Sequence, residues 1–184
     1  VLLAIMDGLL GNEQAFKEVF PQADIQECVV HHVRYQLSKV KPKHKPEMAE
    51  DMRLIYSQND TTQAEKELER FTVNWQKLYP SVTRSWNEKL YKLTRFLSYP
   101  AAIRKSIYTT NWIERVNREF RRVVRNKSNF PSPDAALKLM FLKIRDLESR
   151  YSEKTMYNFG KAEYDLSQMM DKRYGPPEAQ THSI

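Results

Sequence analysis

The chain opens on an unbroken apolar run, Val1 to Met6, which stops at Asp7-Gly8. A short continuous run closed by a turn pair predicts a strand buried on both faces. Asn12 or Glu13 to Phe20 mixes polar and apolar positions at helical spacing and meets Pro21, which predicts a short helix. A second run, Ile25 to Val30, predicts another strand. Strand, helix, strand is a βαβ unit, so the two strands are expected to lie parallel, in a sheet that continues in residues outside this chain. On that reading the sequence begins mid-sheet, and we expect it to be the C-terminal part of a longer protein.

From His31 the period changes. Lys39 to Pro46 reads as a basic connector, with Pro46 as the first residue of a helix running to about Ser57. Thr62 is expected to open the next helix, with Glu65 three residues on completing a capping box. Its apolar positions Ala64, Leu68, Phe71, Trp75 and Leu78 alternate spacings of four and three, one helical face, and Pro80 is expected to end it. Two shorter helical stretches, one around Trp86 and one from Leu93 to Leu97, lead to Tyr99-Pro100. The segment from Asn111 carries an apolar stripe of Ile113, Val116, Phe120, Val123 and Val124. After Phe130-Pro131-Ser132-Pro133, Asp134 to about Tyr151 predicts a helix with Leu137, Met140, Phe141, Ile144 and Leu147 on one face. A weaker helical stretch continues to Tyr174, and Gly175-Pro176-Pro177 opens a tail expected to be disordered.

Composition agrees with this pattern. Glycine occurs 4 times in 184 residues, where average usage would give about 13, which favours long helices over a turn-dense β fold. The fold class expected is therefore α/β and helix-dominated. Apolar residues at 41% and aromatics at 11% are too many for a wholly disordered chain. The longest apolar run is far short of the roughly 18 residues a membrane span needs, and it lacks a signal peptide's charged leader and cleavage site. One cysteine excludes an internal disulfide, and a reducing cytoplasm is the expected compartment.

Charge is what makes the chain unusual. The net charge is +7, with a pI near 9.4 and a mean hydropathy of −0.70. Residues 101–130 hold eight basic side chains against Glu114 and Glu119, a net of +6. A solvated helix normally mixes both signs. Here Arg115, Arg118, Arg121, Arg122, Arg125 and Lys127 stand in a segment with too few acids to balance them, and a nucleic-acid backbone would supply the negative charge.

Three further candidates have a structural and a chemical reading each. Asp7 follows a buried strand directly, at the sheet edge where ligands and metals gather, yet Asp-Gly is also a common turn pair. Glu114 lies at the border of the apolar stripe and the basic flank, suited to holding a divalent cation against a phosphate. With Asn111 as cap it equally suits a capping box and a pair with Arg118. Cys28 and His31 stand close together at the end of the second strand, but without a second cysteine a four-ligand zinc site is not expected. Trp75, Trp86 and Trp112 fit a core better than base-stacking platforms.

These pieces coincide with a known pattern. Asp7-Gly8-Leu9, Val19-Phe20-Pro21, Cys28-Val29-Val30-His31, Tyr99-Pro100 with Ile103-Arg104, Tyr108-Thr109-Thr110-Asn111-x-Ile113-Glu114-x-x-Asn117-Arg118, Phe130-Pro131 and Ala135-Ala136-Leu137-Lys138 resemble, in order and spacing, the C-terminal half of bacterial mutator-type insertion-sequence transposases. The resemblance implies a DDE transposase with an RNase H-like core interrupted by an all-helical insertion. Residues 1–31 and 101–151 would belong to the core, 32–100 to the insertion and 152–184 to a helical extension and tail. It implies that Asp7 is the second catalytic aspartate, Glu114 the catalytic glutamate, and Cys28 and His31 the accessory Cys-x-x-His motif. Both carboxylates would hold Mg²⁺ or Mn²⁺. The implied partner is double-stranded DNA, at element ends and target, with a homo-oligomer acting at the bacterial nucleoid. Two features depart from the family pattern: its first aspartate is absent from this sequence, and Met6 stands where a small polar residue is expected. The chain alone is therefore expected to be inactive. The rival reading is a non-catalytic basic helical DNA-binding module or a truncated regulator of transposition.

Overall fold

In a computed structural model, residues 1–9, 11–108, 111–125, 129–152 and 158–175 are described, with backbone alone for 111–113. Strand β1 (Leu3–Met6) leads through helix α1 (Asn12–Val19) to β2 (Asp24–Glu27). The two strands pair in parallel, Leu3 opposite Asp24 and Met6 opposite Glu27, as the βαβ pattern predicts. The second strand is shorter than expected. Its pairing ends at Glu27, and the run Cys28 to Val30, apolar enough to continue a strand, instead turns into α2 (Val29–Ser38) with Cys28 at the cap position.

The remaining described helices are α3 (Lys45–Tyr56), α4 (Thr61–Trp75), α5 (Pro80–Leu93), α6 (Ala101–Ile107), α7 (Asn111–Arg125), α8 (Pro133–Tyr151) and α9 (Phe159–Tyr174). Local chemistry moves several boundaries. The connector before α3 contains a short 3-10 turn at Pro42–His44. The cap of α4 is Asp60, whose carboxylate accepts from the Gln63 N–H at 2.9 Å, in place of the Thr62–Glu65 box. Pro80 does not end α4; it opens α5, where a missing N–H leaves no helical bond unmade. Leu93 to Leu97 divides between the end of α5 and a 3-10 turn at Arg95–Ser98. The tail from 176 and Lys127 lie outside the described residues.

The main core belongs to the helices. Val29, Met48, Met52, Ile55, Phe71, Trp75, Val82, Trp86, Leu93 and Phe96 form one buried cluster, with Ile103, Ile107 and Ala162 joining it from α6 and α9. Trp75 and Trp86 are core residues, as expected; the Trp112 side chain lies outside the described residues. The face of α8 differs from its pattern. Leu147 is buried, but Leu137, Phe141 and Ile144 are exposed, because α8 packs chiefly on α7.

A two-stranded sheet is marginal alone, and buried polar groups tie this one to the helices. Gln26 is fully buried; its amide donates to the Leu93 carbonyl at 2.9 Å and its oxygen accepts from the Phe96 N–H at 2.7 Å. Asp24 accepts from Arg95 at 2.7 Å and Arg173 at 2.8 Å, with the Tyr99 hydroxyl also 2.8 Å away. Burial alone would raise the Asp24 pKa; these three donors outweigh it and hold the carboxyl below its ordinary range. Replacing Gln26 by Leu keeps the volume but strands a buried carbonyl and a buried N–H. Gln26→Leu should destabilise the chain by about 2–4 kcal/mol in urea unfolding, with an unchanged m-value; a neutral result would show that the staple is dispensable.

Candidate functional site

Parallel register brings two chain segments together at one sheet edge. The Cys28 N–H donates to the Met6 carbonyl at 2.7 Å, so Asp7, next after Met6, and Cys28 emerge side by side. Gly8 then turns away with φ of +76°, and a Cβ there would stand 3.1 Å from Glu27 Oε2. Both the left-handed backbone and the close approach demand glycine. Three residues past Cys28, in the first turn of α2, comes His31.

Glu114 arrives from far along the chain. The Val29 N–H, one of the donors left unmade at the start of α2, bonds the Tyr108 carbonyl at 3.2 Å. That contact pins the end of α6 beside α2, and α7 starts a few residues later. The result is a clasp. His31 Nδ1 lies 2.8 Å from Asp7 Oδ1, and His31 Nε2 lies 3.1 Å from Glu114 Oε1. An imidazolium donates to both carboxylates, whereas a neutral ring donates to one and turns a lone pair on the other. The side chains are 59% exposed for Asp7, 30% for His31 and 42% for Glu114. Both acids can therefore reach solvent and a ligand. Glu114 thus faces His31, 24 residues on from Asp7, rather than serving only its own helix end.

Asp7, Cys28 and His31 line a cavity of about 480 Å³ together with Gly8, Glu27, His32, Tyr35 and Lys89. Glu27 and Lys89 are functional candidates that sequence reading missed. Lys89 Nζ, from α5, lies 2.8 Å from Glu27 Oε2, with the Glu27 side chain only 10% exposed. The available signal was a pair of polar residues, Gln26-Glu27, inside a strand otherwise read as buried; nothing in the pattern pointed to Lys89 as the partner.

Beyond the cavity runs the cationic helix. Arg115, Arg118, Arg121, Arg122 and Arg125 are exposed on α7, and four of them, Arg118, Arg121, Arg122 and Arg125, surround a surface hollow of about 320 Å³. Of the two acids of α7, Glu114 meets His31, and Glu119 is shared by Arg122 at 3.4 Å and Lys143 of α8 at 3.1 Å, which leaves the arginines in excess.

The fold and site define a helix-dominated α/β protein with an acid–histidine cleft beside a cationic helix. Comparison with known proteins assigns the family. The family model for transposases of the Mutator family matches residues 1–154, and the chain belongs to that family. It is 36% identical over 152 residues to the probable transposase for insertion sequence element ISRM3-like of Sinorhizobium fredii, covering 82% of this chain and 38% of that protein. It is 31% identical over 171 residues to the transposase for insertion sequence element IS905 of Lactococcus lactis, covering 93% and 44%. A third relative, the transposase for IS1201 of Lactobacillus helveticus, is 34% identical over 132 residues, 72% of this chain and 36% of that protein. The chain thus spans about two fifths of the length of these relatives. No helix among the described residues is long and apolar enough to cross a membrane.

His32 gives the cavity a pH signature. It is 7% exposed, packs edge-on to Trp86 at 5.0 Å, and its Nε2 has no hydrogen-bond partner among the described residues. Burial, then the Lys89 and Lys39 charges, push its pKa down to about 4. A folded pKa below the unfolded value means that the unfolded chain binds the proton first. The associated stability is complete above about pH 6.5 and is lost as pH falls toward 4, about 3 kcal/mol in all. Urea unfolding at pH 7 and pH 5 should show a drop of about 2 kcal/mol that His32→Gln largely removes; equal drops in both proteins would contradict this assignment.

Proposed function

We propose that this chain supplies part of the catalytic domain of a DDE-type DNA transposase, which moves an insertion element by metal-dependent phosphodiester cleavage and strand transfer. The observation that carries the reading is the meeting of Asp7 and Glu114 on the two nitrogens of His31, although 107 positions separate them in sequence. A cap glutamate and a turn aspartate have no structural reason to share one histidine. The donors also suit the implied metal. Carboxylate oxygens are hard ligands of the kind Mg²⁺ and Mn²⁺ take, and both acids are solvent-accessible.

In this reading Asp7 and Glu114 hold the divalent ion once His31, which stands between them, gives up its contact with one or both. Once bound, the ion supplies Lewis-acid activation of a water or 3′-hydroxyl and stabilises the leaving oxygen. His31 keeps both carboxylates against its ring before the ion arrives. Glu27 and Lys89 fix the wall against which Gly8 passes. Arg115, Arg118, Arg121, Arg122 and Arg125, with Lys127 by resemblance, contact the DNA backbone of element ends and target. The strands and α7–α8 would belong to an RNase H-like core, the helices between residues 32 and 100 to an insertion, and the third acid to a strand beyond this sequence. The 184 residues alone would then bind DNA without cutting it, and catalysis would need the longer protein as a homo-oligomer.

One observation favours the non-catalytic DNA-binding reading instead: Arg118, Arg121, Arg122 and Arg125 gather around one surface hollow of α7, which suits phosphate without any help from the acids. Two measurements separate the readings. In a full-length transposase carrying this segment, Glu114→Gln should lower Mg²⁺-dependent cleavage of element-end DNA more than about 100-fold while leaving DNA affinity intact. Retained cleavage would sink the catalytic assignment. For the cationic helix, replacing Arg121 and Arg125 together by Ala should reduce the slope of log affinity against log salt by about 2; an unchanged slope means that these side chains do not touch phosphate.

A further inference from the structure

Ligand counting in the sequence speaks against zinc because Cys28 is the one cysteine. The fold changes the count by adding a carboxylate. One ligand atom each of Asp7, Cys28 and His31 lies within 4.8 Å of the other two. A thiol, an imidazole and a carboxylate form a mixed soft and borderline donor set. Magnesium uses oxygen alone, whereas zinc takes sulfur, nitrogen and oxygen together and commonly keeps three protein ligands with water in the fourth position.

The rest of the clasp supports a metal on this side of the ring. Of the two His31 nitrogens, Nδ1 is the one beside Asp7, while Nε2 meets Glu114 at 3.1 Å. A ligating histidine is usually oriented by a carboxylate on its other nitrogen, and Glu114 stands where that partner is needed. Closing the three donors onto one ion requires about 1 Å of inward movement, judged from metal–ligand bonds of about 2.0–2.3 Å. Asp7 can supply most of it, since it is more than half exposed and lies between the end of β1 and Gly8. Cys28 and His31 are already fixed three residues apart at the start of α2. Cys28 is buried, so the ion would enter through the cavity that all three residues line.

We propose that Asp7, Cys28 and His31 form a site for a zinc-type divalent ion, with Glu114 orienting His31 from its far nitrogen, and that filling this site withdraws Asp7 from magnesium. Binding displaces the Cys28 thiol proton to solvent, leaves the His31 ring with one proton on Nε2 toward Glu114 and any second ring proton released to solvent, and replaces the hydrogen bond between Asp7 and His31 by two metal–ligand bonds. The site stands on the donor geometry alone. Its inhibitory consequence rests on the catalytic reading above.

The test is titration of the 184-residue chain with Co²⁺, the spectroscopic substitute for Zn²⁺, in thiol-free buffer. One equivalent should produce a thiolate-to-cobalt charge-transfer band in the near ultraviolet, which Zn²⁺ abolishes by displacement. Cys28→Ser should remove the band, and His31→Ala should weaken Co²⁺ binding severely, with helical content checked by circular dichroism. Glu114→Gln should keep the band while weakening affinity by about tenfold or more. No band in the parent chain, or a band of unchanged affinity in both Asp7→Asn and His31→Ala, overturns the site. In the full-length transposase, one equivalent of Zn²⁺ should suppress Mg²⁺-dependent cleavage and a chelator should restore it; cleavage indifferent to zinc overturns the inhibitory role. The two proposals fail separately. Cleavage surviving Glu114→Gln removes the catalytic reading and leaves the cobalt band in place, whereas a missing band with cleavage abolished by Glu114→Gln removes the zinc site alone.

Discussion

Parallel pairing of β1 with β2 is the constraint on which the site depends. Parallel strands end at the same edge of a sheet, so the residue after each strand emerges beside the other. Here those residues are Asp7 and Cys28, and the helix that Cys28 caps carries His31 a turn later. An antiparallel pair would place them at opposite ends. The four-residue strands cannot secure this register by themselves. Gln26, bonded into the backbone at Leu93 and Phe96, and Asp24, held by Arg95 and Arg173, transfer the stability of the helical core to the sheet. The interposed helices are therefore part of how the cleft is held, besides any contact with DNA.

The second consequence is electrostatic. Two carboxylates near one another repel, and both sit beside a helix rich in arginine. His31 stands between Asp7 and Glu114 and offers each a ring nitrogen, which keeps the acids apart yet close. The Glu27–Lys89 pair lies in the same cavity wall, with the lysine partly exposed and the carboxylate buried, so losing the lysine would leave a buried charge without its partner. Glu119, turned toward Lys143 on α8, leaves the arginine face of α7 with a strongly positive balance. The acidic cleft and the cationic helix are thus adjacent features of opposite charge, and in the proposed reading they take different partners, cations for the first and phosphates for the second.

Much of this was legible in the amino-acid order. The βαβ opening, the α4 face of Ala64, Leu68, Phe71 and Trp75, and the helices around Glu114 and after Pro133 follow from the spacing of apolar positions; on α4 that face is buried, whereas on α8 most of it stays exposed. The boundaries were less legible. Cys28-Val29-Val30 is apolar enough for a strand, and the point where it becomes a helix is set by tertiary contact with Tyr108. Pro80, expected as the stop of α4, is the start of α5, since a proline suits the first turn of a helix as well as the position after one. Asp7, Cys28, His31 and Glu114 were singled out by position and by resemblance, but the sequence contains no sign that one imidazole joins the two acids. Lys89 was invisible, since a lysine on an amphipathic helix has no pattern that marks it as the partner of a strand residue 62 positions earlier.

The central claim is that His31 physically links Asp7 to Glu114. The most direct measurement is the nitrogen-15 spectrum of the His31 ring in the wild-type chain and in two single variants. Asp7→Asn should move the Nδ1 signal far more than Nε2, and Glu114→Gln should move Nε2 far more than Nδ1, because each nitrogen faces its own carboxylate. A ring whose two signals ignore Glu114→Gln would mean that α7 does not deliver its acid to the cleft, and would contradict the account.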